Sequence, residues 1–275
     1  MPGATPRGTV FETARQIYRQ SQKPADSLFN RYIARPPAAL VVARLADTQV
    51  TPNQVTFASI AVMAVAALVL VSIPTWAGLW LGVLLVEASY VLDCADGQLA
   101  RYTGRTSPVG GLLDFLMDEL KAFLLVPALA IRWHLWEGGG QLAFYVGLLA
   151  LVAVSSAIAV TKFMRTAEYA QATGTTQRKH GESAGSRQGG PLWPVVAAMR
   201  LVSQYPATLP LFALFGRMDV FLFAYGGLHV LYLGSASLSV FRALGRPAAR
   251  GRAAMAGAPP AEPAVSESTT PGEDA

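Results

Sequence analysis

Four aspartates, Asp93, Asp96, Asp114 and Asp118, lie in the segment DCADGQLARYTGRTSPVGGLLDFLMD, between two runs that otherwise read as lipid-spanning helix. A carboxylate at the centre of a bilayer helix costs about 2.5–3.5 kcal/mol on insertion scales, so four together call for compensating charge. Asp93 and Asp96 are three residues apart and Asp114 and Asp118 four apart, spacings that put each pair on one helix face. The short YTGRTS turn makes the two helices antiparallel neighbours and lets all four side chains converge. Oxygen ligands without paired His or Cys suit a hard divalent cation, Mg²⁺ or Mn²⁺, rather than zinc. Four negative charges exceed what one such ion balances, whereas two ions about 3.5–4 Å apart match them and clamp a phosphoryl group. Intramembrane acids also line cation pathways, so spacing alone leaves both an enzyme and a transporter open.

The elements that must position these acids are apolar helices. The chain has 275 residues, of which 52% are hydrophobic and only 14% charged, a balance that excludes an ordinary soluble domain. Apolar runs starting at Val55, Ala77, Pro108, Leu142, Pro191 and Val220 predict six membrane-spanning helices, each near the roughly 20 residues a bilayer core requires. The expectation is an all-α polytopic membrane protein: residues 1–49 form an N-terminal juxtamembrane segment, 50–245 the six-helix domain and 246–275 a disordered tail. The stretch from Phe11 to Leu45 mixes apolar and basic residues, is interrupted by Pro24, Pro36 and Pro37, and reads as one or two amphipathic helices on the inner leaflet. Thr51 and Pro52 have the residue types of an N-cap and first helical position.

The net charge of +5 is unevenly spread. Basic residues crowd the N-terminal segment, the turn holding Arg101 and Arg105, the 162–187 connection and the stretch after Val240, while the opposite connections hold only Arg132 and Arg217. The positive-inside rule then places both termini and the acidic turn in the cytoplasm, at the inner membrane in a bacterium, with Trp76, Trp80, Trp133 and Trp136 at the outer interface. No basic stripe is interleaved with aromatics as nucleic-acid binding would require, so anionic membrane lipids are the expected counter-charge. The polar 166–190 connector lacks P-loop order. Cys94 reads as a small filler between acids, and His229, without a second His at metal spacing, as a hydrogen-bonded core residue.

The complete order Asp93-x-x-Asp96-Gly97-x-x-Ala100-Arg101, eight residues, Gly110, three residues, Asp114, three residues, Asp118 resembles the signature of the CDP-alcohol phosphotransferase family at every position. The resemblance extends over the membrane core from residue 50 to about 243. It implies transfer of a substituted phosphate from a CDP-alcohol donor to an alcohol acceptor with release of CMP, in phospholipid synthesis and with two divalent ions. It makes Asp93, Asp96 and Asp114 metal ligands and Asp118 both a ligand and the base for the acceptor proton. It gives Gly97, Ala100, Arg101 and Gly110 to the cytidine side, together with Thr51, Pro52 and Asn53, which resemble the family's first-helix opening. It also implies a homodimer. Lys121 is expected either to anchor an acceptor phosphate or to snorkel to the interface, and Lys162, Arg165 and Arg200 to line an acceptor pocket. KPADSLFNRYIARP is similar to the branch that uses CDP-inositol as donor, and TSPVGGLLD resembles the aminoalcohol enzymes. CDP-diacylglycerol with a polar alcohol is the expected pair.

Overall fold

A computed structural model describes residues 9–22, 27–173 and 204–244, all helix and connecting turns with no strand among them. Two helices precede the membrane bundle. α1 (Val10–Ser21) starts on a reciprocal cap, the Thr9 hydroxyl accepting from the Glu12 amide and the Glu12 carboxylate from the Thr9 amide. It buries Ala14, Ile17 and Ser21 and leaves Phe11, Arg15 and Arg19 outward. A π-helical turn (Asn30–Ala34) runs straight into α2 (Arg35–Leu45).

Pro36 and Pro37 therefore do not break this region; they stand in the first turn of α2. Proline has no N–H to give to the preceding turn, and the wider π winding there accommodates the two rings without ending the helix. Pro24 lies outside the described residues. Arg35 is buried, donates to Ser21 O at 2.7 Å and accepts at its own carbonyl from Gln98 Nε2 at 3.3 Å, which fastens the N-terminal helices to the bundle.

α3 (Pro52–Ser72) begins as expected, with Thr51 capping Gln54 N and the Gln54 side chain accepting from Thr51 N at 2.8 Å. α4 (Trp76–Tyr102) and α5 (Pro108–Trp136) start on Thr75 and Ser107 caps, whose hydroxyls accept from Gly78 N at 3.1 Å and Gly110 N at 2.9 Å. Between α4 and α5, Gly104 takes φ +68°, a left-handed conformation that lets the chain reverse at once. α6 (Gly140–Phe163), the short α7 (Ala167–Thr173), α8 (Tyr205–Leu214) and α9 (Met218–Leu244) complete the described chain. α3 packs on α4 and α5, α6 on α5 and α9, and α8 on α4 and α9. Gly226 permits the α6–α9 approach, since a Cβ there would lie 2.8 Å from Ala150 Cβ.

Among the described residues four helices, α3, α4, α6 and α9, are long and apolar enough to cross a membrane. α5 matches them in length, but Asp114, Asp118, Glu119, Lys121 and Arg132 remove it from that class by composition. The run from Pro191 to Phe215, expected as a fifth span, is described only from residue 204, where it forms the ten-residue apolar α8. The expected tail, residues 246–275, lies outside the described residues.

The bundle has two ends of different character. One core cluster joins Met63, Leu70, Val83, Leu129 and Phe221 in the half that carries the tryptophans, where Trp76 meets Trp80 edge-on and Trp136 Nε1 donates to Val71 O at 2.8 Å. A second cluster packs Ile17, Ala38 and Val42 against Val55, Ala95 and Leu99. It buttresses the end of α4 that bears the acids.

Candidate active site

α4 and α5, joined by a short turn and each packed on α3, bring together three of the four acids. One oxygen from each of Asp93, Asp114 and Asp118 lies within 4.8 Å of the others. Asp96 stands beside this group rather than in it: its side chain is buried, and Oδ2 accepts from the Thr56 hydroxyl at 2.5 Å. The same Thr56 Oγ1 also lies 3.2 Å from Pro52 O, and through its bond to Asp96 the start of α3 is tied to the second acid of the motif. Clustered carboxylate oxygens without imidazole or thiolate ligands fit a hard divalent cation, and the 4.8 Å spread allows one ion to touch several of them.

Lys121 stands inside this cluster. It has no exposed surface, its Nζ contacts Asp93 Oδ1, and Asp118 Oδ1 lies 3.4 Å away. It does not snorkel to an interface and lines neither flanking cavity; its charge is paired with two carboxylates.

A cavity of about 180 Å³ and one of about 580 Å³ flank the acids. Pro52, Asn53, Gly97, Ala100, Arg101 and Gly110 all line the smaller one, with Asp96 and Asp114 at its inner wall. Both glycines keep it open. A Cβ on Gly97 would lie 3.2 Å from Arg101 Nη1, and one on Gly110 would lie 3.1 Å from Ser107 Oγ and 3.6 Å from Asn53 Oδ1. Thr51 does not line it; its hydroxyl is spent on the α3 cap.

The larger cavity opens on Asp118, whose side chain is 49% exposed. α4, α5, α6, α8 and α9 all contribute walls, including Tyr90, Glu119, Tyr205, Tyr225 and His229. Tyr90 also donates to Asn30 Oδ1 at 2.6 Å, which connects this wall to the N-terminal helices.

Residues 49–225 match the family described as CDP-alcohol phosphatidyltransferase, which is more than half of the chain. The chain belongs to that family. It is 34% identical over 148 residues to a bifunctional IPC transferase and DIPP synthase of Thermococcus kodakarensis, covering 52% of this chain and 31% of that one. It is 39% identical over 103 residues to an archaetidylinositol phosphate synthase of Aeropyrum pernix, covering 34% of this chain and 47% of that one. A bifunctional IPC transferase and DIPP synthase of Rubrobacter xylanophilus is 34% identical over 107 residues, or 39% of this chain and 22% of that one. The chain thus spans less than half the length of these curated relatives.

Of the basic residues expected to serve an acceptor in this family member, Arg165 lines the larger cavity. Lys162 is not among its walls; Nζ lies 4.3 Å from the centre of the ring of Phe115, which is, and the Arg165 guanidinium lies 5.9 Å from the same centre. Arg200 lies outside the described residues. His229 is hydrogen-bonded as expected, Nδ1 to Tyr225 O at 2.8 Å, yet its ring also faces the cavity.

Sequence reasoning missed Thr56, Arg105, Thr106 and Ser107 on the smaller cavity and Tyr90, Tyr205 and Tyr225 on the larger. Two of these had a signal. Thr56 is one helical turn beyond Pro52, and Tyr90 one turn before Asp93, each on the face of a residue already singled out.

Proposed function

We propose that the chain transfers a substituted phosphate from a CDP-alcohol to a hydroxyl acceptor and releases CMP. The observation that carries this reading is the convergence of Asp93, Asp114 and Asp118 between two cavities, one reached by the glycines and Arg101 of the family signature. The smaller cavity takes the cytidine and its pyrophosphate; Gly97 and Gly110 leave room against the backbone, and Arg101 meets phosphate charge at the mouth. The larger cavity takes the acceptor. Asp118, on the wall between them, accepts the proton of the acceptor hydroxyl as its oxygen forms a bond to the phosphorus bearing the donor alcohol. The bond from that phosphorus to the bridging oxygen breaks, and CMP departs with the electron pair. Bound at Asp93, Asp96, Asp114 and Asp118, two divalent ions, Mg²⁺ or Mn²⁺, supply the positive charge that offsets the pyrophosphate and the leaving CMP.

The donor is CDP-diacylglycerol or a similar CDP-lipid, delivered from the bilayer. For the acceptor, an inositol phosphate gains support from the name of the Aeropyrum pernix relative and from Arg165 in the larger cavity, a guanidinium suited to a phosphate. Transfer from CDP-inositol is the second reading, favoured by the KPADSLFNRYIARP segment. The site and both termini face the cytoplasm, and the protein works as a homodimer.

The test is a panel of CDP-alcohol donors and alcohol acceptors presented to the full chain in lipid nanodiscs, read as CMP release with Mn²⁺ or Mg²⁺ and with EDTA. A donor–acceptor pair that yields CMP only with the metal is expected. Metal flux into proteoliposomes without nucleotide, and no CMP from any pair, would favour a cation pathway instead.

A further inference from the structure

We infer that Lys121 holds the place of one of the two divalent ions until the donor arrives. The nucleotide-free protein then carries one tightly bound ion, and the second enters with the donor's pyrophosphate. This rests on the metal reading of the carboxylate cluster given above.

The position of Lys121 carries the argument. A lysine with no exposed surface stays in a membrane helix only when its charge is paired. Its partners, Asp93 Oδ1 and Asp118 Oδ1, are two of the three groups whose oxygens lie within 4.8 Å of one another. The ammonium therefore occupies one edge of the cage, while Asp96 and Asp114 on the other side open on the smaller cavity. Charge then sets the order of loading. Lys121 cancels one of the two carboxylate charges it touches, those of Asp93 and Asp118, so the ammonium and one divalent ion together already outweigh that pair. A second ion would leave the cage net positive, with an ammonium a few ångströms away in a medium that screens poorly. The two negative charges of a donor pyrophosphate remove that obstacle, and the flexible lysine stem lets the ammonium turn toward the phosphate.

Mn²⁺ titration of the full chain in nanodiscs, followed by electron paramagnetic resonance of the free ion, tests this without reference to turnover. The wild type is expected to bind one ion tightly without nucleotide and a second once CDP is added. Lys121→Met removes the charge but keeps the side chain's length; it is expected to bind two ions without CDP, the second at least about tenfold tighter than in the wild type. Lys121→Arg keeps the charge and is expected to retain the single-ion behaviour. Two equally tight ions in the nucleotide-free wild type, a single ion both with and without CDP, or an unchanged count in Lys121→Met would each overturn the inference. If Lys121→Met does not fold, the wild-type count and its response to CDP decide alone. No Mn²⁺ binding in any form would instead remove the metal reading of the cage itself.

Discussion

α5 buries two cations, Lys121 and Arg132, roughly 16 Å apart along the helix axis, and treats them in opposite ways. Arg132 is matched completely. Its Nε donates to Glu137 at 2.7 Å, Nη1 to Leu70 O at 3.1 Å and Ile73 O at 2.9 Å, and Nη2 to Pro74 O at 3.4 Å and Thr75 O at 3.3 Å. The Leu70, Ile73 and Pro74 carbonyls close α3 and the turn into α4 without helical donors, and one planar guanidinium satisfies them while also reaching Thr75 O, which already accepts from Leu79 N. Lys121 faces more carboxylate than it can neutralise, with cavities on both sides. A saturated buried charge closes a structure. An excess of one sign beside open space awaits a ligand of the other sign, and that difference separates the tryptophan end of the bundle from the acidic end.

Substitutions at the two ends should therefore divide cleanly between turnover and stability. The largest effect belongs to Asp118→Asn, which keeps the shape and removes the proposed proton acceptor: CMP release should fall by about 10²–10⁴-fold, the usual contribution of a positioned base, with the helical circular dichroism retained. Turnover at the wild-type rate would show that another group takes the proton. Next comes Arg132→Met, which orphans Glu137 and the carbonyls at the end of α3 and should cost about 3–5 kcal/mol in unfolding, with CMP release per folded molecule unchanged. A slower Arg132→Met enzyme of unaltered stability would mean that the tryptophan end is not merely structural.

Much of the acidic end was legible in the sequence because its information is local. Asp93 and Asp96, or Asp114 and Asp118, share a helix face by spacing, and a short turn joins the two helices at their acidic ends, although both pack on α3 rather than along each other. The start of α3 was equally legible, since Thr51, Pro52 and Gln54 interact within one turn. What escaped depends on contacts across the fold. Lys121 is one turn from Asp118 in sequence, but its closer partner, Asp93, belongs to another helix. The larger cavity draws Tyr205 and Tyr225 from helices remote in sequence, and periodicity along either helix says nothing of where they converge. The tandem prolines misled for a different reason: Pro36 and Pro37 stop a helix from its interior but initiate one from its first turn, and only the backbone path distinguishes the two.

A pair of helix caps offers the finest comparison of the two ends. Thr75 at the tryptophan end and Ser107 at the acidic end do the same job, each hydroxyl accepting from the amide three residues on, Gly78 N at 3.1 Å and Gly110 N at 2.9 Å. Replacing either by alanine should cost about 1 kcal/mol of stability, the usual value of a lost N-cap. Their surroundings differ. Ser107 lines the smaller cavity and its Oγ stands 3.1 Å from where a Gly110 Cβ would lie, while Thr75 lines neither cavity. Ser107→Ala frees an amide beside the pyrophosphate position and loosens the turn that carries Arg105, so it should also change the KM for the CDP-alcohol by a few-fold, at constant KM for the acceptor. Thr75→Ala should lower the melting temperature by a similar amount and leave both KM values alone, because its cap supports only the closed end. Equal kinetic effects from the two alanines would mean that the ends communicate through α4 and are not independent.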